Sequence, residues 1–183
     1  MAVRLVRQTS DTPNITNRDD TVMARYAYGG YNGVVKSFGD ECQAEATGGQ
    51  FKLLSGRIVV DGWEVDVGAE GVIKDFSSEI GTQFITLYLN IVLETEKAEI
   101  LAVSGQSDYP SLEKGDDLTS TARGTARIKL YNVKVENGLI TEVSQKFEII
   151  LYEKDLNEKT KQLQRTRRMV IIAMLSAISV VLM

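Results

Sequence analysis

Between Phe84 and Leu93, apolar side chains recur at every second position: Ile85, Leu87, Leu89, Ile91 and Leu93. Thr86, Asn90 and Glu94 take the alternate positions, together with Phe84, Tyr88 and Val92. An extended chain points successive side chains to opposite faces. The run therefore has one continuous apolar face as a strand, whereas a helix would scatter the same residues around its circumference. A strand of this kind is not stable alone. It needs neighbours for its backbone N–H and C=O groups and a second layer for its apolar face.

Neighbours are legible elsewhere in the chain. Ala126–Val135 and Leu139–Val143 flank Asn137-Gly138. This dipeptide accepts positive φ at both central positions of a type I′ turn, so a hairpin is predicted. Asp61-Gly62 likewise separates Ile58-Val59-Val60 from Trp63-Glu64-Val65-Asp66-Val67 within Arg57–Val67. Shorter strand candidates are Phe51–Leu54, Ile100–Val103 and Phe147–Tyr152. The 15 glycines, against only two prolines, fall as punctuation between short apolar runs. Short strands at near-regular spacing predict a mainly β fold, an antiparallel β-sandwich or barrel-like domain over residues 22–152.

Residues 1–21 are polar, carry turn formers at Thr12-Pro13-Asn14, and read as an extended N-terminal arm. They contain no apolar run of the signal-peptide kind, and Asn14-Ile15-Thr16 is read as a chance match to the glycosylation pattern. Tyr109–Gly124 is a polar connection with Pro110, Gly115 and Asp116-Asp117. It is long for a structureless loop, so it is expected to pack on a neighbour or to carry recognition, with Tyr109, Asp116 and Asp117 as candidates.

Residues 153–183 lack glycine and proline and predict one long C-terminal helix. Leu156, Leu163, Val170 and Ala177 recur at a seven-residue interval, but Thr160 and Arg167 at the matching positions weaken a coiled-coil pattern. Met169–Met183 is uncharged over fifteen residues and follows Arg165-Thr166-Arg167-Arg168. As a helix it is about 22 Å long, against about 30 Å for a bilayer's hydrocarbon core. An apolar helix end needs cover, so Val170, Ile171, Met174, Leu175, Ile178, Val181 and Leu182 are the candidate oligomer or membrane contacts. Burial in an oligomer or larger assembly is the first expectation and membrane contact the second.

The residues that usually carry chemistry are sparse. The chain has no histidine and one cysteine, Cys42, so no Ser-His-Asp arrangement, no Cys/His zinc cluster and no internal disulfide can form. Cys42 is expected to be a reduced, partly buried side chain. A net charge of −4 gives no general attraction to nucleic acid. Gly29-Gly30-Tyr31-Asn32-Gly33 before Lys36-Ser37 lacks phosphate-loop spacing and reads as a tight turn. Asp40-Glu41, Asp61, Glu64, Asp66 and Asp116-Asp117 could pair for glycoside hydrolysis, but in Asp61–Asp66 the acids alternate with apolar residues as a solvated strand face would. Asp108 with Asp116-Asp117 has no calcium-loop spacing. Trp63, Tyr26, Tyr28 and Tyr31 could make a saccharide platform but are read first as core or subunit contacts. No catalytic residue, cofactor or metal site is expected.

One resemblance is carried by particular stretches. Ile15-Thr16-Asn17-Arg18-Asp19-Asp20 followed by Arg25-Tyr26-Ala27-Tyr28-Gly29-Gly30-Tyr31-Asn32-Gly33-Val34-Val35 resembles the start of tail-fibre or baseplate proteins from phages and prophages of Gram-positive bacteria. Ser55–Asp66, Thr86–Ile91, Gly115–Leu118 and Gly124–Tyr131 look like the same module. The resemblance implies a β domain that attaches a fibre or receptor-binding protein to the tail, commonly as a trimer. It implies a virion protein assembled in the host cytoplasm, with itself and other tail or baseplate proteins as partners. In that family a variable receptor-binding portion usually follows the module, whereas here residues 153–183 follow. The expectation is therefore a non-enzymatic attachment or adaptor module. The alternatives are a carbohydrate- or receptor-binding protein, a wall-polysaccharide hydrolase, and a membrane-engaging protein anchored by residues 169–183.

Overall fold

The computed structural model describes the backbone of residues 3–6 and residues 31–113, 115–116, 118 and 124–151. The predicted helix over 153–183, most of the arm and the candidate contacts from Val170 to Leu182 lie outside the described residues.

Twelve strands make up the regular structure of the described residues: β1 (Val3–Val6), β2 (Gly33–Val35), β3 (Ala44–Thr47), β4 (Gln50–Leu53), β5 (Gly56–Val60), β6 (Trp63–Val67), β7 (Val72–Asp75), β8 (Thr82–Val92), β9 (Lys97–Gly105), β10 (Thr125–Glu136), β11 (Leu139–Gln145) and β12 (Ile149–Ile150). They form three sheets in the orders β1-β6-β5-β2-β12, β11-β10-β8-β9 and β3-β4-β7. Every pairing is antiparallel except β12 with β2, which is parallel. The fold is mainly β, as the alternation predicted. Val3–Val6, within the segment read as an arm, is a strand paired with β6 from Val3↔Val67 to Val6↔Glu64.

The period-two face of β8 points inward. Ile85, Leu87, Leu89, Ile91 and Leu93 are all buried, in one core with Phe51 and Leu53 of β4, Ile58 and Val65 of the β5–β6 hairpin, and Val133 and Val135 of β10. The core therefore draws on all three sheets. A smaller cluster of Val35, Val59 and Ile150 lies apart from it, on β2, β5 and β12.

Strand β10 departs from simple alternation. Its register against β8 shifts between Lys129 and Tyr131, and the bulge leaves two adjacent residues, Leu130 and Tyr131, both buried. Tyr131 is thereby aimed into the core. Its hydroxyl donates to the Cys42 carbonyl (3.0 Å), and its ring meets Phe51 and Phe147 edge-on at 5.4 Å each.

Three turns interlock at one place. Asn137 (φ 49°) and Gly138 (φ 77°) form the predicted Asn-Gly turn. The Asn137 N–H donates to the Gly81 carbonyl (2.9 Å), its side-chain oxygen accepts from the Gly81 N–H (3.1 Å), and the Ile140 N–H donates to the Gly48 carbonyl (2.9 Å). A Cβ on Gly138 would stand 2.4 Å from the Ser77 carbonyl oxygen. Positive φ and this approach both require glycine. Gly138→Ala is expected to destabilise the chain by about 2–3 kcal/mol, read as a lower urea midpoint with an unchanged slope.

Candidate functional site

The richest surface feature lies beside Lys36–Gln43. Ser37, Glu41 and Cys42 there have φ of 58°, 55° and 52°, a conformation that side-chain-bearing residues seldom adopt. The segment is held by Ser55, whose carbonyl accepts from Asp40 N–H and Cys42 N–H, both at 2.9 Å, while its hydroxyl donates to the Asp40 carboxylate at 2.6 Å. Ser37 N–H donates to the Glu41 carboxylate at 2.8 Å. The result is to present Phe38, 38% exposed, with the Arg57 guanidinium 4.1 Å from its ring centroid.

Arg57 is the electrostatic centre of this region. It grips Asp66 through two parallel bonds, from Nε to Oδ1 at 2.7 Å and from Nη2 to Oδ2 at 3.2 Å. Its Nη1 donates to Glu64 at 2.8 Å. The register explains the contact: a two-residue Asp61-Gly62 turn sets Arg57 opposite Asp66 and Val59 opposite Glu64. This corrects the expected solvated face of Asp61–Asp66, since Glu64 is only 8% exposed and is charge-compensated by Arg57. An open groove of about 480 Å³ runs alongside, lined by Phe38, Gly39, Ser55, Asp66, Val67 and Ala69 among others. Its lining is mainly apolar, and its carboxylate is engaged by Arg57. The one hydroxyl in the lining, that of Ser55, is committed to the Asp40 carboxylate.

Beneath the loop lies Cys42, fully buried, where burial pushes the thiol up to about 12 and the nearby Asp66 charge acts in the same direction. It is free, as expected, and more deeply buried than the sequence reading placed it. A Cβ on Gly56 would stand 2.5 Å from its sulfur, so the strand can pass here only as glycine. The phenol of Tyr131 is pushed up to about 12 as well, mainly by burial.

The other sequence candidates are dispersed. Asp61 serves the turn: its carboxylate accepts from Asn32 Nδ2 (3.2 Å) and from the Leu118 N–H (3.3 Å). Asp116 closes back on its own connection, accepting from the Thr125 N–H at 2.9 Å while its N–H donates to the Thr125 carbonyl at 2.7 Å. Tyr109 lies edge-on to Phe84 with centroids 5.2 Å apart, so the loop's first part packs on its own sheet. Asp117 lies outside the described residues, and so do Gly29, Gly30, Tyr26 and Tyr28. Among the described residues, no group of three or more carboxylates and thiols is placed to hold a metal. No helix there is long and apolar enough to cross a membrane. Gly33, expected in a tight turn, starts β2, because Val34 and Val35 pair with β12 while Gly33 and Val34 pair with β5. Tyr31 is 61% exposed, whereas Trp63 packs against the core with its indole N–H buried and unpartnered.

Sequence reasoning did not single out Phe38, Ser55 or Arg57. The signal for Arg57 was available: counting outward from the Asp-Gly turn puts residue 57 opposite residue 66. The chain matches no protein-family model, and no curated protein matches it.

Two outcomes are expected. Arg57→Ala should cost about 3 kcal/mol in urea unfolding, because it removes the guanidinium that bonds the buried Glu64 and the half-buried Asp66. Arg57→Lys should recover only part of this, since an ammonium cannot make the two-pronged contact. Stability should also fall in alkali. Both raised groups bind protons more tightly when folded, so their contribution is complete below the unfolded values of 9.0 for Cys42 and 10.0 for Tyr131, and is lost as pH rises toward about 12. Cys42→Ala should flatten the first part of that decline in a series of urea titrations.

Proposed function

We propose that this chain is a structural component of a phage tail or baseplate, an attachment or adaptor module that works within an oligomeric assembly. The observation that carries the reading is apolar surface beside the interlocked turns. Ile80, 86% exposed, precedes Gly81, and Leu139, 58% exposed, follows Gly138. Two large aliphatic side chains thus stand exposed on turns that bond to each other, and apolar surface of this kind is what an interface removes from water. Met169–Met183 adds a second apolar element that requires cover. The resemblance of residues 15–35 and 55–66 to tail-fibre and baseplate modules supports the same reading.

In this reading the β domain is an antiparallel sandwich or barrel-like unit, followed by a helix over 153–183. Support comes from the sheet edges: β1 lies beside β9, and β11 beside β3 and β4, around one core. The partners are further copies of the chain, as a trimer, and other tail or baseplate proteins, with membrane contact through residues 169–183 as the second route to covering the tail. The module is non-enzymatic and does not bind nucleic acid, and it resides in the virion after assembly in the host cytoplasm.

Light-scattering mass on the full chain and on a chain ending at Tyr152 tests this without detergent. The full chain is expected to form a defined oligomer, and the shorter chain a folded, smaller species. Ile80→Asp combined with Leu139→Asp should weaken the assembly while leaving the β circular-dichroism signal intact. A stable soluble monomer of the full chain would sink the reading. Aggregation relieved only by detergent would transfer the weight to a membrane role.

A further inference from the structure

We propose that residues 106–113 are a displaceable strap, released from the outer face of the β11-β10-β8-β9 sheet without unfolding of the core. On β8 the alternation puts Thr86 on the face away from the core, opposite Asn132 of β10. Polar residues on that face belong in water. Yet Thr86 is 0% exposed and Asn132 only 8%. Their cover is the strap. The Pro110 carbonyl accepts from Thr86 Oγ1 at 3.2 Å and from Lys129 Nζ at 3.3 Å, and Tyr109 lies edge-on to Phe84.

The fastening is sparse. No backbone–backbone hydrogen bond joins residues 106–113 to another described residue. The Tyr109 N–H is turned to its neighbour, the Asp108 carboxylate, at 2.7 Å. The Tyr109 hydroxyl is buried without a hydrogen-bond partner, which weakens the closed arrangement. Under the strap the contact between Thr86 and Asn132 is long, at 3.4 Å. The sheet below is paired along its length, from Val92↔Thr125 to Thr82↔Glu136, with one bulge at Leu130. Segments with few hydrogen bonds over a fully paired sheet open first, below the free energy of global unfolding. The strap also has fixed ends, Gly105 closing β9 and the Gly115–Ala126 bridge. Release bares two hydrogen-bonding side chains flanked by the Phe84 ring and the ammonium groups of Lys129 and Lys134.

The chain carries its own control, because Cys42 is fully buried in the core. In the full chain bearing Thr86→Cys, labelling by an aromatic disulfide reagent is followed at both thiols. The introduced thiol is expected to react at least ~100-fold faster than Cys42. Adding Tyr109→Ala should accelerate the introduced thiol about tenfold and leave Cys42 within about twofold. Equal rates at the two thiols, or equal acceleration of both by Tyr109→Ala, would overturn the proposal. If Thr86→Cys fails to fold, Asn132→Cys reports on the same covered pair with the same two outcomes.

Discussion

Tyr131 joins two of the sheets to the Lys36–Gln43 loop. Tyr131 belongs to β10, stacks edge-on with Phe51 of β4, and donates its hydroxyl to the Cys42 carbonyl, at the loop that Gly56 of β5 admits. A phenol placed this way supplies apolar area and satisfies a buried backbone acceptor at once. It reaches the core only because β10 carries a bulge at Leu130. Without that extra residue, Tyr131 or Leu130 would face outward, and the loop carbonyl above Gly56 would lose its donor. The junction of β10, β4 and the loop thus depends on a local irregularity in one strand.

The Lys36–Gln43 segment shows where conformational strain is concentrated. Its left-handed residues are stabilised by Ser55 and Glu41, and the gain is a fixed position for Phe38 over Arg57. Arg57 in turn settles the charge of Glu64 and Asp66. The loop, the guanidinium and the two carboxylates form one connected unit on the rim of the groove, so its shape is set by bonds rather than by loose packing.

Elements governed by local rules were legible in the sequence. The alternating face of β8 and the Asn-Gly and Asp-Gly hairpins follow from side-chain period and turn chemistry, and the structure places them accordingly. What escaped was governed by distant partners. Val3–Val6 and Gly33–Val35 are too short to carry a periodic signal, and they are strands because β6, β5 and β12 pair with them. Thr86 falls on the alternate face of the β8 pattern, and what covers it and its partner Asn132 is a segment more than twenty residues away. Tyr109 and Asp116 were legible as a polar connection, but their attachment to the module's own strands was not.

The parallel pairing of β12 with β2 has a consequence for how the chain is made. Val34 and Val35 must wait for Ile149 and Ile150, separated from them by nearly the whole domain. Synthesis proceeds from the N-terminus, so β5 and β6 can form their hairpin early while one edge of β2 stays bare until β12 emerges. A translating ribosome therefore holds an incomplete module for most of its passage. A nascent chain halted before Phe147 would present that edge to any neighbouring polypeptide, which makes steady elongation through β12 part of the protein's solubility.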